Sequence, residues 1–523
     1  MSEHKKIARA TGTMGVATGL SRIAGLLRDM VVAAIFGAGH ATDAFFLAFT
    51  IPNLLRRFFA EGSLTAAFVP TYAEIHHQQG AKESARIANI CWTLLLLVMF
   101  VVVIVGILAS PWVVKAIGYG FIEVEGKLAL TNRLNQVMFP YIFFVSLLAL
   151  ITGILNVREH FFWPSFSPLL LNVSMIGSAL LLSPFFAQPI MSLAIGVLLG
   201  GILQLALQFP VLSAHKIQLR LDFNFRDPAV LRIARLMMPG IAGVAIYQLN
   251  VIVTRLLASF LAEGSVSYLY YAQRLFEFPQ GIFVVSLAQA VLPTISRQVA
   301  SGEEASFKET LRFSVALIMV VIVPAIIGLI VCSEAIFSLF FMRGAFDYNA
   351  VHQTALALAV FAPGLLFVAV SRVVVPTFYA FKDTRTPVLI SFWTLLVNVA
   401  LGLLLMIPFG HLGLALALTL SAAFNCLILL VALRRKIGPL GWGVTLGPMW
   451  RILPSVIVMA LASHLVLTYG VWDGTGSPLT NGVLLFVAVI GGGTIYALGC
   501  WWLRVPGAAG VARLVREKLA RKR

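Results

Sequence analysis

The sequence predicts an all-α polytopic membrane protein. It reads as 14 transmembrane helices, in two six-helix bundles related by an internal repeat plus two extra C-terminal helices. Three observations predict it. Of the 523 residues 60% are apolar and only 11% charged, with mean hydropathy +0.95, whereas soluble domains carry about 25% charged residues. Positive charge falls in alternate connecting segments. Prolines recur at a fixed offset along the chain.

A helix needs about 20 apolar residues to cross the hydrocarbon core. In chain order such runs cover 8–36, 43–72, 87–110, 133–157, 165–184, 190–213, 233–261, 267–295, 311–333, 350–380, 387–407, 411–433, 449–470 and 481–503. Lys5, Lys6 and Arg9 lead straight into the first run without a small-residue cleavage pattern, so no cleavable signal is expected. With a cytoplasmic N-terminus, one side of the membrane collects 27 Lys and Arg and the other collects Lys115, Lys127, Arg133 and Arg343. That asymmetry is the positive-inside pattern and places both termini in the cytoplasm. The net charge of +17 is thereby read as topology, not as a nucleic-acid-binding face. Cys91, Cys332, Cys426 and Cys500 lie in apolar runs without CxxC spacing and read as small packing residues, with no disulfide or metal role.

Pro70, Pro140 and Pro164 are followed 223 residues later by Pro293, Pro363 and Pro387, and AFVPT at 67–71 faces AVLPT at 290–294. Nearer the N-terminus the offset becomes 227, which pairs Arg28 with Arg255 and Pro52 with Pro279. The four-residue change is about one helical turn, so helix faces are nearly kept. The chain then divides into a bundle at 1–215, a second at 216–438, two added helices at 439–503 and a basic tail at 504–523. An even number of helices per half makes this a parallel repeat, an architecture suited to alternating access.

Seven arginines fall inside the predicted spans: Arg22, Arg28, Arg56, Arg57, Arg255, Arg274 and Arg372. Facing lipid unpaired, they would cost about 17–25 kcal/mol on the cheapest scale, so they are expected to face counter-ions or a wet cavity. Arg22 and Asp29 share one face of the first span, with Arg28 about 100° away. Arg57 and Glu61 are spaced to pair at i,i+4, and Arg274 and Glu277 at i,i+3. Asp43 opens the second span, where it is placed either to cap the helix or to act in the site. The surplus of arginine over Asp29, Glu61 and Glu277 calls for an anion, and the planar guanidinium suits phosphate oxygens.

Catalytic and nucleotide-binding signatures are missing: there is no HExxH, GxxxxGK[ST], DxD or GxSxG. The chain is therefore expected to be a transporter without a cofactor, driven by the membrane potential or an ion gradient. Asn398, Thr419 and Asn425 are placed either to hold a coupling cation or to make packing hydrogen bonds.

The strings LSRIAGLLRD (20–29), GAGHATDAFF (37–46), PNLLRRFFAEGS (52–63) and YYAQRLFEFPQG (270–281) resemble the MurJ/MviN family of lipid II flippases, within the multidrug/oligosaccharidyl-lipid/polysaccharide exporter superfamily. The resemblance implies that the substrate is the undecaprenyl-pyrophosphate-linked peptidoglycan precursor, moved from the inner to the outer leaflet of a bacterial inner membrane. It carries functional roles to Arg22, Arg28, Arg56 and Arg274 and acidic roles to Asp29, Asp43 and Glu61, and it assigns the last two spans to the prenyl tail. Gln273 departs from the acidic residue expected before Arg274, which leaves Glu277 as the partner for that arginine. Arg255 rests on the repeat alone. Lipid II, as the resemblance implies, and membrane lipids are the expected partners; the charge distribution argues against nucleic acid, and contact with cell-wall synthesis proteins and action as a monomer are further expectations. The alternatives are another lipid-linked oligosaccharide or drug exporter of the superfamily, a non-transporting membrane scaffold, and a lipid-linked transferase.

Overall fold

The computed structural model describes residues 3–58, 64–443 and 447–505. Every regular element among them is helical, and they pack as two compact units, Met1–Val266 and Ser267–Arg523.

The first unit holds α1 (Glu3–Phe36), α2 (His40–Arg56), α3 (Leu64–Ile117), α4 (Lys127–Met138), α5 (Tyr141–Val157), α6 (Phe162–Leu181), α7 (Met191–Ala206), α8 (Gln208–Ala214) and α9 (Pro228–Ser259). Helix α2 starts where the Gly39 N–H donates to Thr42 Oγ1 at 2.9 Å, so Thr42 performs the capping and Asp43 is left for other partners. Helices α6 and α7 approach through small residues: a Cβ at Gly196 would meet the Met175 backbone at 2.9 Å, and one at Gly200 the Leu171 backbone at 2.9 Å. Ser174 Oγ donates across this contact to the Gly196 carbonyl at 2.8 Å.

The segment entering α9 is tied to α3. The Arg220 N–H donates to Asn89 Oδ1 at 3.0 Å, the Asp222 N–H to Thr93 Oγ1 at 2.9 Å, and Arg86 pairs with Asp227 at 2.6 Å. Asp227 also caps α9 by accepting from the Ala229 N–H at 2.9 Å. These ties hold α9 against α3, so the packing boundary at Val266 lies beyond the repeat boundary read from sequence at 215/216.

The second unit takes up α10 (Ser265–Pro279) at Ser267, followed by α11 (Val285–Ala300), α12 (Glu304–Phe341), α13 (Tyr348–Phe361), α14 (Gly364–Ala380), α15 (Arg385–Ile437), α16 (Ile452–Leu467) and α17 (Pro478–Trp502). Pro279, which has no N–H, ends α10, and a π turn at Gln280–Val284 joins α10 to α11. The core lies between α12 and α14, where Phe307, Leu311, Ile318 and Ile322 meet Val373, Val374 and Phe378. On its other side α12 packs against α16 and α17, and Tyr496 OH donates to the Val320 carbonyl at 2.6 Å. All four cysteines are buried, as packing residues would be.

Nine helices among the described residues are long and apolar enough to cross a membrane, or ten if the bent pair α13 and α14 crosses as one. Some runs read as single spans are broken. The 43–72 run divides into α2 and the start of α3, with 59–63 outside the described residues. The 350–380 run bends by 43° next to Pro363, whereas the 133–157 run lies within one candidate span, Lys127–Val157, across the turn at Pro140. Conversely, α15 contains two sequence-predicted spans joined at Gly410, whose φ of +57° favours glycine. A side chain at nearby Gly413 would overlap the Leu405 carbonyl.

Two of the repeated proline pairs occupy matching places. Pro140 and Pro363 each directly precede the first residue of a helix, α5 and α14, and Pro164 and Pro387 are each the third residue of theirs, α6 and α15.

Candidate functional site

The charged residues fall into three clusters, two in the first unit and one in the second. The first joins α1 to α6. Arg28 Nε and Nη2 donate to Asp29 Oδ1 at 3.0 and 2.7 Å, and Arg28 Nη1 donates to Asn172 Oδ1 at 3.1 Å. Asn172 Nδ2 donates back to the Ser21 carbonyl at 3.1 Å, so one amide ties the guanidinium to the backbone of its own helix. Arg28, Asp29 and Asn172 are all buried. Spacing alone placed Asp29 on the face of Arg22, but in the fold the Arg28 side chain wraps around α1 to reach it. Arg22 is exposed on the preceding turns of α1.

The second cluster joins the start of α2 to the start of α4 and the α9–α10 turn. Asp43 Oδ2 accepts from Lys127 Nζ at 3.0 Å and from the Gly264 N–H at 2.8 Å. Lys127 also lies over the Phe121 ring at 4.4 Å and is buried. The sequence reading counted Lys127 in the connecting segment between the 87–110 and 133–157 spans; it begins α4 and pairs with Asp43. Beside this pair the His40 N–H donates to the Glu263 carboxylate. Gly120 packs so closely on the end of α9 that a side chain there would collide with the Ser259 carbonyl. Arg255 is buried at the same turn, where its Nη1 donates to the Val266 carbonyl at 3.1 Å.

In the second unit, α10 presents Gln273, Arg274 and Glu277 along neighbouring turns, with Gln280 opening the π turn that follows. Arg274 Nη1 lies 3.6 Å from Glu277 Oε2, and Gln273 Nε2 donates to Glu277 Oε1 at 3.1 Å. Glu277 thus serves both, and a neutral amide stands where sequence suggested a missing acid. Tyr270 holds Arg274 from the other side, accepting from Nη2 at 2.7 Å with its ring 4.9 Å from the guanidinium. From α14, Arg372 meets the Gln280 side-chain oxygen at 3.0 and 2.9 Å once that amide is turned toward it.

A family model described as "Lipid II flippase MurJ" matches residues 32–486. The chain belongs to the MurJ lipid II flippase family. A probable lipid II flippase MurJ from Vibrio cholerae is 37% identical, covering 81% of this chain and 82% of that one. A lipid II flippase MurJ from Burkholderia cenocepacia is 35% identical, covering 82% and 84%. A solved structure titled "Lipid II flippase MurJ, inward closed conformation" superposes with a TM-score of 0.76 at 25% identity, over 94% of this chain and 98% of that one. An inward-facing multidrug resistance MATE transporter shares the fold, with a TM-score of 0.68 at 12% identity over 80% and 95%.

The remaining residues singled out in sequence have local places. Arg56 donates to Asn53 Oδ1 at 3.2 and 3.0 Å, one turn back on α2. Arg57 is half-buried at the end of α2, and its expected partner Glu61 lies outside the described residues. Asn398, Thr419 and Asn425 sit in interhelical contacts: Thr419 donates to the Val360 carbonyl at 2.8 Å, Ser421 to Asn398 at 3.5 Å, and Asn425 to Thr394 at 2.9 Å. Among the described residues no group of three His, Cys, Asp or Glu side chains could hold a metal. Sequence reasoning missed Asn172, Lys127 and Tyr270. A lone amide in the apolar run of α6 was the available signal for Asn172. Nothing local separates Lys127 from an ordinary loop lysine after Glu125 and Gly126.

Proposed function

We infer that this chain is a lipid II flippase, a multi-pass transporter of the bacterial inner membrane and not an enzyme. The match to the family over residues 32–486, together with the fold shared at a TM-score of 0.76, carries this reading.

The finer reading has 14 spans, both termini in the cytoplasm and two repeat-related halves that alternate access. The matching positions of Pro140 and Pro363 just before α5 and α14, and of Pro164 and Pro387 within α6 and α15, support the repeat. The pyrophosphate of lipid II is taken by Arg28 and Arg274, with Arg22 and Arg56 assisting, and the sugar-peptide headgroup occupies water while the prenyl chain stays in lipid along α16 and α17. Arginine suits this task because it remains charged in a dry site and holds two oxygens at once. An inside-negative potential works on each charge moved by about 2.3 kcal/mol per 100 mV. It favours outward movement of the anion and inward return of the emptied cationic site, with no nucleotide needed. The protein acts as a monomer, and contacts with cell-wall synthesis proteins are external to this cycle.

The test is cellular. Bacteria depleted of their own flippase and supplied with this chain should regain lipid II in the outer leaflet. Lack of restoration by a well-inserted protein would contradict the assignment.

A further inference from the structure

The connection from α8 to α9, residues 215–227, is a feature the pyrophosphate reading does not use. It leaves α8 by a sharp turn: Lys216 takes a φ of +56° and the Ile217 N–H returns to the Leu212 carbonyl at 2.9 Å, with Ile217 buried. From there the chain runs extended along α3. The Arg220 N–H donates to Asn89, and the Asp222 N–H to Thr93, one helical turn further on. The chain then doubles back, because Asp222 Oδ1 accepts from the Asn224 N–H at 3.0 Å and the Asn224 carbonyl from the Asp227 N–H at 3.2 Å. Asp227 ends the return beside Arg86. The tip of the loop therefore lies level with Thr93, roughly 10 Å beyond Arg86 at the rise of an α-helix. That level falls within the apolar run of α3 at 87–110, to which Arg86 is the charged end. At the tip Leu221 is 64% exposed and Phe223 62%. The Phe225 ring stands 6.0 Å from that of Phe223, and at the depth of the tip Trp92 of α3 meets Phe209 of α8, as aromatic rings do at a membrane surface. Lys216, Arg220 and Arg226 flank the tip and are exposed, whereas Asp222 and Asp227 are turned into the bonds of the loop itself.

We propose that this loop is a wedge seated in the lipid surface: Leu221 and Phe223 enter the boundary between headgroups and acyl chains, and Lys216, Arg220 and Arg226 meet anionic headgroups. An apolar tip between cationic flanks is the pattern of a segment that lies in the interface, and a depth of roughly 5–10 Å is what such segments reach. The charges fit the negative surface of a bilayer that contains anionic lipid. Seating the wedge holds Asp227, which caps α9, at the height of Arg86. The entry to α9 is thus set by lipid as well as by α3.

The experiment reads depth directly. Phe223→Cys and Leu221→Cys, both at exposed side chains, each carry a nitroxide in the full chain, reconstituted in vesicles of phosphatidylethanolamine and phosphatidylglycerol. The four native cysteines are buried, and the unsubstituted chain taken through the same labelling gives the background. Power saturation compares encounter with oxygen, which concentrates in lipid, and with a water-soluble nickel chelate. Gln79→Cys, exposed beside the Gly80 break of α3, is the aqueous reference, and Leu97→Cys, 46% exposed in the apolar run, is the hydrocarbon reference. The oxygen-to-nickel ratio at positions 221 and 223 should exceed that at position 79 by at least about five-fold and approach that at position 97. A ratio equal to that at position 79 places the tip in water and overturns the wedge. Labels that meet neither reagent are covered by protein, a second copy of the chain or another partner, and overturn it as well. A Leu97→Cys that itself reads as water overturns the span on which the depth rests, and the wedge with it. The measurement uses no lipid II, so a chain that fails to flip would count against the flippase reading and leave this result standing.

Discussion

Arg28 in the first unit and Arg274 in the second carry the same side chain in opposite settings. The Arg28 side chain is 7% exposed and committed to Asp29 and Asn172; that of Arg274 is 36% exposed and rests between Tyr270 and Glu277. A buried guanidinium is held by short bonds, and breaking a buried ion pair is strongly destabilising. A half-exposed one keeps contact with solvent, and its ion pair contributes little to stability. The difference teaches that charge count alone does not define a cationic site. One arginine is built into the helix packing, while the other is presented by it.

The largest expected effect breaks the first side of this contrast. Arg28→Ala should lower stability by about 3–5 kcal/mol, because it breaks a buried ion pair with Asp29, and should abolish transport in whatever protein inserts. Thermal unfolding in detergent beside a flipping assay measures both. Asn172→Ala is next: it removes the acceptor for Arg28 Nη1 and should cost about 1–3 kcal/mol. An unchanged melting point would show that Asn172 does not position Arg28. On the other side, Arg274→Ala should change stability by less than about 1 kcal/mol while still eliminating transport. If its destabilisation matched that of Arg28→Ala, the two settings would not differ as described.

The smallest expected effect lies outside both clusters. Lys436, beside Asp383 in the α14–α15 connection, holds that carboxyl at about 2, below its ordinary 3.8. The folded state therefore favours the ionised form. Its stabilisation is present above pH about 4 and is lost as pH falls toward 2. Exposure of Lys436 limits it to about 0.5–1 kcal/mol. Asp383→Asn should flatten the pH dependence of stability in that window and leave neutral-pH transport intact.

Much of the helical architecture was legible because its signals are collective. Apolar runs mark the helices, and the prolines at 140, 164, 363 and 387 recur at the same places in their elements. Breaks within runs were less legible: Gly410 reverses a stretch that hydropathy divides without explaining, and the two parts of the 43–72 run read as one. Side-chain partnership across distant segments was not legible at all. The Lys127–Asp43 pair spans 84 residues and the Arg28–Asn172 contact 144, distances at which no helical periodicity operates. The adjacent pair Arg28 and Asp29 was missed for the opposite reason, since helix geometry directs neighbours apart and only the length of arginine closes the gap.

The most direct measurement places the purified chain in vesicles with lipid II on one leaflet and follows its appearance on the other, at matched insertion of the parent and Arg274→Ala. The account predicts translocation by the parent and none by the variant, whose fold stays intact. Equal translocation by both, or none by the parent, would contradict it.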